Sequence, residues 1–198
     1  IENNHSATHL LHAALRQVLG SHVQQKGSLV KDDYLRFDFA HFHKMTDEEI
    51  ASVETIVNQK IRENISRKEN RKLPIEEAKK SGAMMLFGEK YGDEVRMITF
   101  DEHYSIELCG GCHVDATGVI GLFKITAESA IAAGVRRIEA VTAGGAENYI
   151  NGKLEELDAI RSIFKSPNVV KSIVDLQDEN KVLKKEIERL QGDKAGAL

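Results

Sequence analysis

The sequence predicts an α+β fold in which helices pack on an antiparallel sheet, with a helical or coiled-coil appendage at the C-terminal end. Two observations carry this. Runs with helical apolar spacing and runs with strand alternation are segregated along the chain rather than regularly alternating, which disfavours a doubly wound parallel sheet. After Gly144-Gly145 the composition turns helical and charged.

Taken in order, Ala7 to Leu19 repeats apolar residues at helical spacing and stops at Gly20, a residue suited to ending a helix. His5 stands at or near the start of this helix. Leu29-Val30 and Tyr34 to Phe39 then read as half-buried strands, because successive strand side chains point to opposite faces. Thr46 with Glu49 forms the signature of a capping box opening a long helix, whose buried stripe is Ile50, Val53, Ile56, Val57 and Ile61. A mixed segment follows, with a short helix expected from Pro74. Beyond Gly92, strands are expected at Val95 to Phe100, Tyr104 to Leu108, Gly121 to Thr126 and Val135 to Val141, so that most of the sheet is late.

Pro167 divides the helical tail. In its second half Val169, Ile173, Leu176, Asn180, Leu183, Ile187 and Leu190 step by three and four, an a/d heptad seam of about three heptads with one Asn at an a position. Heptad spacing does not say whether the partner lies in the same chain. The seam fits a coiled coil between chains, and equally a hairpin folded back on Leu154 to Phe164. The domain reading is residues 1–143 for the α+β part and 144–198 for the helical segment.

With 198 residues and 41% hydrophobic content, the chain can bury a core without disulfides or metal. Its two cysteines, Cys109 and Cys112, are too close in sequence to staple distant segments, which points to reduced thiols and a cytoplasmic protein. No segment approaches the uncharged apolar length needed to cross a bilayer, and no basic start precedes an apolar run. The chain begins at Ile1 and a motif follows within a few residues, so the natural start is expected upstream. A net charge of −4 disfavours a surface that wraps nucleic acid throughout, but it leaves room for contact with one nucleic-acid end. Arg62, Arg67, Lys68, Arg71 and Lys72 form a local basic cluster, either a phosphate contact or a solvated face.

The chemistry concentrates in two dyads. His5 and His9 are four residues apart, so on a helix both imidazoles leave one face and can share an ion. Far downstream, Cys109 and His113 bracket a Gly-Gly pair in CGGCH, where glycine lets the backbone turn tightly enough for thiolate and imidazole to converge. Together the dyads supply the sulfur and imidazole mixture that zinc prefers. Cys112 could replace Cys109 as a ligand or line the pocket. A helical zinc protease needs a Glu directly after its first His to activate water, and here Ser6 occupies that position, so the protease reading lacks its general base.

The blocks HSATHLLHAAL, QKGS, LFGEKYG, ELCGGCH, TG-IGLF and AAGVRRIEAVT, in this order from about Asn4 to Thr142, resemble the editing region of bacterial alanyl-tRNA synthetases. The helical tail is similar to the segment joining that region to the family's C-terminal part. The family's ATP-dependent charging domain and its downstream globular domain are not among these residues, so the chain is expected to be part of a longer protein. Free-standing relatives that edit in trans share the motifs, but they would normally carry a small β domain before the first histidines. The family usually has Thr where this chain has Cys112.

The resemblance implies hydrolysis of the ester at the 3′ end of alanine tRNA that wrongly carries serine or glycine, at zinc held by His5, His9, Cys109 and His113. Small side chains are hard to exclude by binding alone, which is the general reason for a second, editing site. The resemblance further marks Thr8 as a pocket residue that tunes the choice of serine, Gln25 as lying near the substrate, Cys109 as needed for the reaction, and Arg136 as holding the RNA end. Without it, Thr8 is a helix residue, Gln25 a turn residue and Arg136 a surface strand residue. Four protein ligands describe a closed shell, so either the shell expands, or one ligand is loose, or zinc chiefly positions the aminoacyl group while water is activated elsewhere. The remaining readings are a zinc-stabilised RNA-binding or oligomerisation module without activity, and a homodimer through the C-terminal helices.

Overall fold

A buried helix lies against an antiparallel sheet and a second helix. The computed structural model describes residues 1–85 and 91–195. Leu86 to Lys90, most of the LFGEKYG block, lie outside the described residues. Two compact units are present, Ile1–Asn148 and Tyr149–Leu198.

Helix α1 (Glu2–Leu19) begins earlier than its apolar spacing predicts, placing His5 in its first turn. The reason is a polar anchor. Asn4 donates to the carbonyls of Lys31 and Asp32 and accepts from the Thr142 hydroxyl, so the helix start is tied to the sheet by hydrogen bonds rather than by apolar burial. Ala7, Leu10, Leu11, Ala14 and Leu15 are fully buried, and Ser6, Thr8, His9 and His12 are buried as well. The helix ends at Gly20, whose φ of +114° suits a residue without a side chain.

Strands β1 (Gln25–Val30) and β2 (Leu35–Ala40) form a hairpin. Helix α2 (Asp47–Arg62) opens with the expected capping box, in which Thr46 Oγ1 accepts from Glu49 N–H and Glu49 accepts from Thr46 N–H. Strand β3 (Lys68–Pro74) and helix α3 (Ile75–Lys80) follow, then β4 (Glu94–Asp101) and β5 (Ser105–Leu108). A 3₁₀ turn at Thr117–Ile120 leads to β6 (Phe123–Ala132) and β7 (Val135–Thr142).

All ladders between these strands are antiparallel, as the fold class predicts, but they form two sheets rather than one. The first has the order β1-β2-β7-β6 and the second β3-β4-β5. β3 is unanticipated because five of its seven residues, Lys68, Glu69, Asn70, Arg71 and Lys72, are polar and show no alternation. As an edge strand it needs no second buried face, and its charges discourage pairing with another chain. Pro74 closes this strand and precedes α3 instead of opening it, which fits a residue that cannot donate to a ladder.

Leu35, Phe37 and Phe39 of β2 meet Ile138 and Ala140 of β7, Phe123 and Ile125 of β6, and the inner faces of α1 and α2 in one core. Phe37, Phe39, Phe100 and Phe123 are almost completely buried, and cutting any one back to alanine would cost about 3–5 kcal/mol. A smaller core joins Ala78, Val95 and Leu108.

In the second unit, helix α4 (Ala143–Phe164) supplies residues from Tyr149 onward, and helix α5 (Val169–Ala195) the rest. The seam residues Leu176, Leu183, Ile187 and Leu190 are about half exposed, as is Leu154. Among the described residues, no helix is long and apolar enough to cross a membrane.

Candidate metal centre and its cavity

His5 and His9 leave one face of α1, and the loop after β5 brings Cys109 and His113 to meet them. One ligand atom from each of the four residues lies within 4.8 Å of every other. His5 Nε2 and His113 Nε2 are each 3.3 Å from Cys109 Sγ. Zinc bonds of roughly 2.3 Å to sulfur and 2.0–2.1 Å to nitrogen, set tetrahedrally, leave sulfur and nitrogen about 3.5 Å apart, so the spacing fits that ion. Cys112 is exposed and is not part of the group, so its thiol is not a fifth candidate.

The electrostatics also suit a cation. Burial, reinforced by neighbouring His9 and opposed by Glu107, lowers His5 from the ordinary 6.5 to about 4. Burial, with His9 and His5 adding to it, lowers His113 to about 2. His9 is lowered by burial against the pull of Glu107. Burial pushes the Cys109 thiol up despite the Gly111 N–H that points at its sulfur. At neutral pH the metal-free group is therefore three uncharged imidazoles and a thiol, all in the form, or one proton from the form, that binds a metal.

Several residues hold these ligands in place. Ser6 Oγ accepts from Val114 N–H at 3.1 Å and lies 3.2 Å from His113 Nδ1. With Nε2 bound to a metal, His113 would carry its proton on Nδ1 and donate it to Ser6 Oγ, the usual outer arrangement around a metal-binding histidine. Arg96 of β4 donates to the carbonyls of Cys109, at 2.9 Å, and of Gly111, and is itself held by Glu69 of β3 at 2.7 Å. Arg67 donates to the His113 carbonyl and to Asp115. Of the basic cluster only Arg67 is turned inward; Lys68 and Arg71 pair with Glu102 and Glu69 but stay exposed, as do Arg62 and Lys72.

Gly111 permits the close approach. A Cβ there would stand 1.8 Å from His5 Cε1, whereas one at Gly110 would meet nothing within 4 Å. Only the second glycine of the pair is required by its neighbours.

Beside the cluster is a cavity of about 60 Å³ lined by His5, His9 and Cys109 together with Thr8, Gln25 and Ser28. The space is small and partly open to solvent. Thr8 is buried and its hydroxyl donates to the Asn4 carbonyl, so toward a further partner it can only accept. Gln25 is the first residue of β1 at a register shift rather than a turn residue, and its amide donates to Ser28 Oγ at 3.2 Å. Arg136 lies elsewhere. On β7 it makes a bidentate pair with Glu128 of β6, at 2.5 and 2.6 Å, and does not line this cavity.

Sequence reasoning missed Ser6 as a support, Arg96 and Arg67 as the clamps of the loop, and Glu107. Glu107 precedes Cys109 by two residues and so shares its face of the strand, a signal that was readable. His12, one turn beyond His9, is buried against Glu107.

Residues 95–139 match the family described as the threonyl and alanyl tRNA synthetase second additional domain. Along its whole length the chain is 62% identical to an alanine–tRNA ligase of Cytophaga hutchinsonii, of which it covers 23%. It is 55% identical over 94% of its length to that of Parabacteroides distasonis, covering 21% of it. To that of Flavobacterium psychrophilum it is 52% identical over 98% of its length, covering 22%. The chain therefore spans less than a quarter of the length of these relatives.

Proposed function

The chain resembles the editing region of alanyl-tRNA synthetases, and from that premise we propose that it hydrolyses the ester of serine or glycine mischarged onto alanine tRNA. The observation that supports this most is the convergence of His5, His9, Cys109 and His113 beside a small cavity lined by Thr8 and Gln25. The parent protein would be an ATP-dependent alanine–tRNA ligase acting in the cytoplasm, with residues 1–143 as the deacylase and 144–198 as a helical connector.

These four residues would hold zinc, which supplies positive charge to polarise the ester carbonyl when bound. The chain's own groups do the selecting. Thr8 and Gln25 offer acceptor and amide groups to the serine hydroxyl. Alanine differs from serine by that hydroxyl alone, and a pocket that hydrogen-bonds a substrate hydroxyl discriminates strongly against the analogue lacking it. Arg136, away from the cavity, would meet the RNA farther from the ester.

The test is single-turnover deacylation of Ser-tRNA. Cys109→Ala is expected to abolish hydrolysis while leaving the far-UV circular dichroism unchanged. Full activity in this variant would refute the proposal. The exposed seam of Leu176, Leu183, Ile187 and Leu190 favours a second role alongside the first, self-association through α5.

A further inference from the structure

Acidic side chains withdrawn from solvent normally carry a cation at hydrogen-bond distance, because an unpaired buried charge is costly. In the first unit this holds repeatedly. Asp38 is gripped by Arg137 at 2.7 and 2.9 Å, Glu128 by Arg136 at 2.5 and 2.6 Å, Glu69 by Arg96 at 2.7 Å, and Asp101 by Lys60 at 3.0 Å.

Glu107 departs from this pattern. Its side chain is 11% exposed, and its only ion-pair neighbours among the described residues are two histidines. Oε2 is 3.6 Å from His9 Nε2 and Oε1 is 3.4 Å from His12 Nδ1. Both separations exceed the roughly 2.7–2.9 Å of a charge-assisted hydrogen bond. Among the described residues, no Lys or Arg pairs with it. The carboxylate lines the same small cavity as Thr8, Gln25 and three of the candidate ligands. It is thus an anion at the cavity with which no Lys or Arg pairs among the described residues.

An aminoacyl ester brings such a partner. Its α-ammonium group is one carbon from the ester carbonyl, and a serine hydroxyl projects from the same α-carbon. A cavity lined by candidate ligands, by Thr8 and Gln25 and by Glu107 can address all three groups at once. Resting on the editing reading above, we propose that Glu107 receives the α-ammonium group of the substrate, so that the site selects esters of free amino acids over esters lacking that charge.

The test uses binding rather than turnover. The probes are the serine amide of 3′-amino-3′-deoxyadenosine, which cannot be hydrolysed as an ester, and the matching glyceric acid amide, in which a hydroxyl replaces the ammonium. Calorimetry on the zinc-loaded chain is expected to show a preference for the ammonium probe of roughly 10-fold to 100-fold, the worth of one hydrogen bond to a charged group. Glu107→Gln should erase that preference by weakening the ammonium probe alone. Glu107→Asp, which keeps the charge but retreats by one carbon, gives a second reading should the glutamine variant fail to fold: it should weaken the ammonium probe several-fold and leave the other unchanged. Equal weakening of both probes would mean that Glu107 merely supports the histidines, and would overturn the proposal. So would equal binding of both probes by the wild-type chain while Ser-tRNA is still hydrolysed. If neither probe binds and Ser-tRNA is not hydrolysed, the editing reading itself falls and takes the proposal with it.

Discussion

Replacing Gly111 by alanine separates a precise metal geometry from a merely suitable composition. The new Cβ would stand 1.8 Å from His5 Cε1 and 2.3 Å from its Nδ1, whereas ordinary contact begins at 3.4 Å. Either the imidazole or the loop must therefore give way by 1.6 Å. The loop is clamped by Arg96 on both sides of the glycine, through the Cys109 and Gly111 carbonyls, and His5 is fixed on a helix anchored by Asn4. Ligand distances at a zinc site tolerate only about ±0.2 Å, so a shift of this size removes His5 from the shell. Loss of an outer hydrogen bond alone typically costs ~10–100-fold in affinity, and loss of a ligand should reach or exceed the upper figure. Competition against a chromophoric chelator measures this. Gly110→Ala is the control, because its Cβ meets nothing, and it should bind zinc within about threefold of the parent if second-site geometry is intact. Equal affinity in Gly111→Ala and the parent would refute the reasoning.

Ser6→Ala should weaken zinc binding about tenfold by freeing His113, and should also destabilise the metal-free protein by roughly 1–3 kcal/mol, since Val114 N–H loses its buried acceptor; unchanged chelator competition and melting temperature would contradict this. Zinc affinity should fall with pH by about one proton per ion from pH 8 to 6, because the thiol of Cys109 is raised and must be deprotonated while His5, at about 4, and His113, at about 2, are already neutral. A slope near two or three would mean the imidazoles titrate at ordinary values. The same lowered values make the metal-free fold acid-sensitive: stability is fully present above the ordinary 6.5 and is lost as pH falls from there toward the folded values, which urea midpoints at a series of pH values will follow. Leu176→Lys with Leu183→Lys should abolish any concentration-dependent dimer in sedimentation without changing deacylation, and dimers that persist would place the interface elsewhere.

How much was legible depends on what holds each element. The His5–His9 dyad and its meeting with CGGCH could be read because helical periodicity and a glycine turn are local rules. The capping box at Thr46 and Glu49 is local too. β3 could not be read, since a polar edge strand is stabilised by its ladder to β4 and by ion pairs such as Glu69 with Arg96, neither of which leaves an alternating trace. The early start of α1 was hidden for a similar reason: Asn4 replaces apolar burial with hydrogen bonds to residues some thirty and a hundred and forty positions away. Cys109 and Cys112 were indistinguishable as letters. What parts them is the fold, which brings the Cys109 thiol to His5 and His113 and leaves Cys112 exposed. The location of Arg136 is set by the pairing of β6 with β7, which puts it opposite Ala130 and within reach of Glu128, two residues along.

The central claim is that two distant pieces of chain share one ion through three imidazoles and one thiolate. X-ray absorption at the zinc edge of the purified protein, with metal content measured on the same sample, tests it most directly. The account predicts one zinc per chain, one sulfur at about 2.3 Å and nitrogen ligands at about 2.0–2.1 Å, with the spectrum unchanged in Cys112→Ala. Two sulfurs, no sulfur, or a spectrum that changes when Cys112 is removed would contradict it.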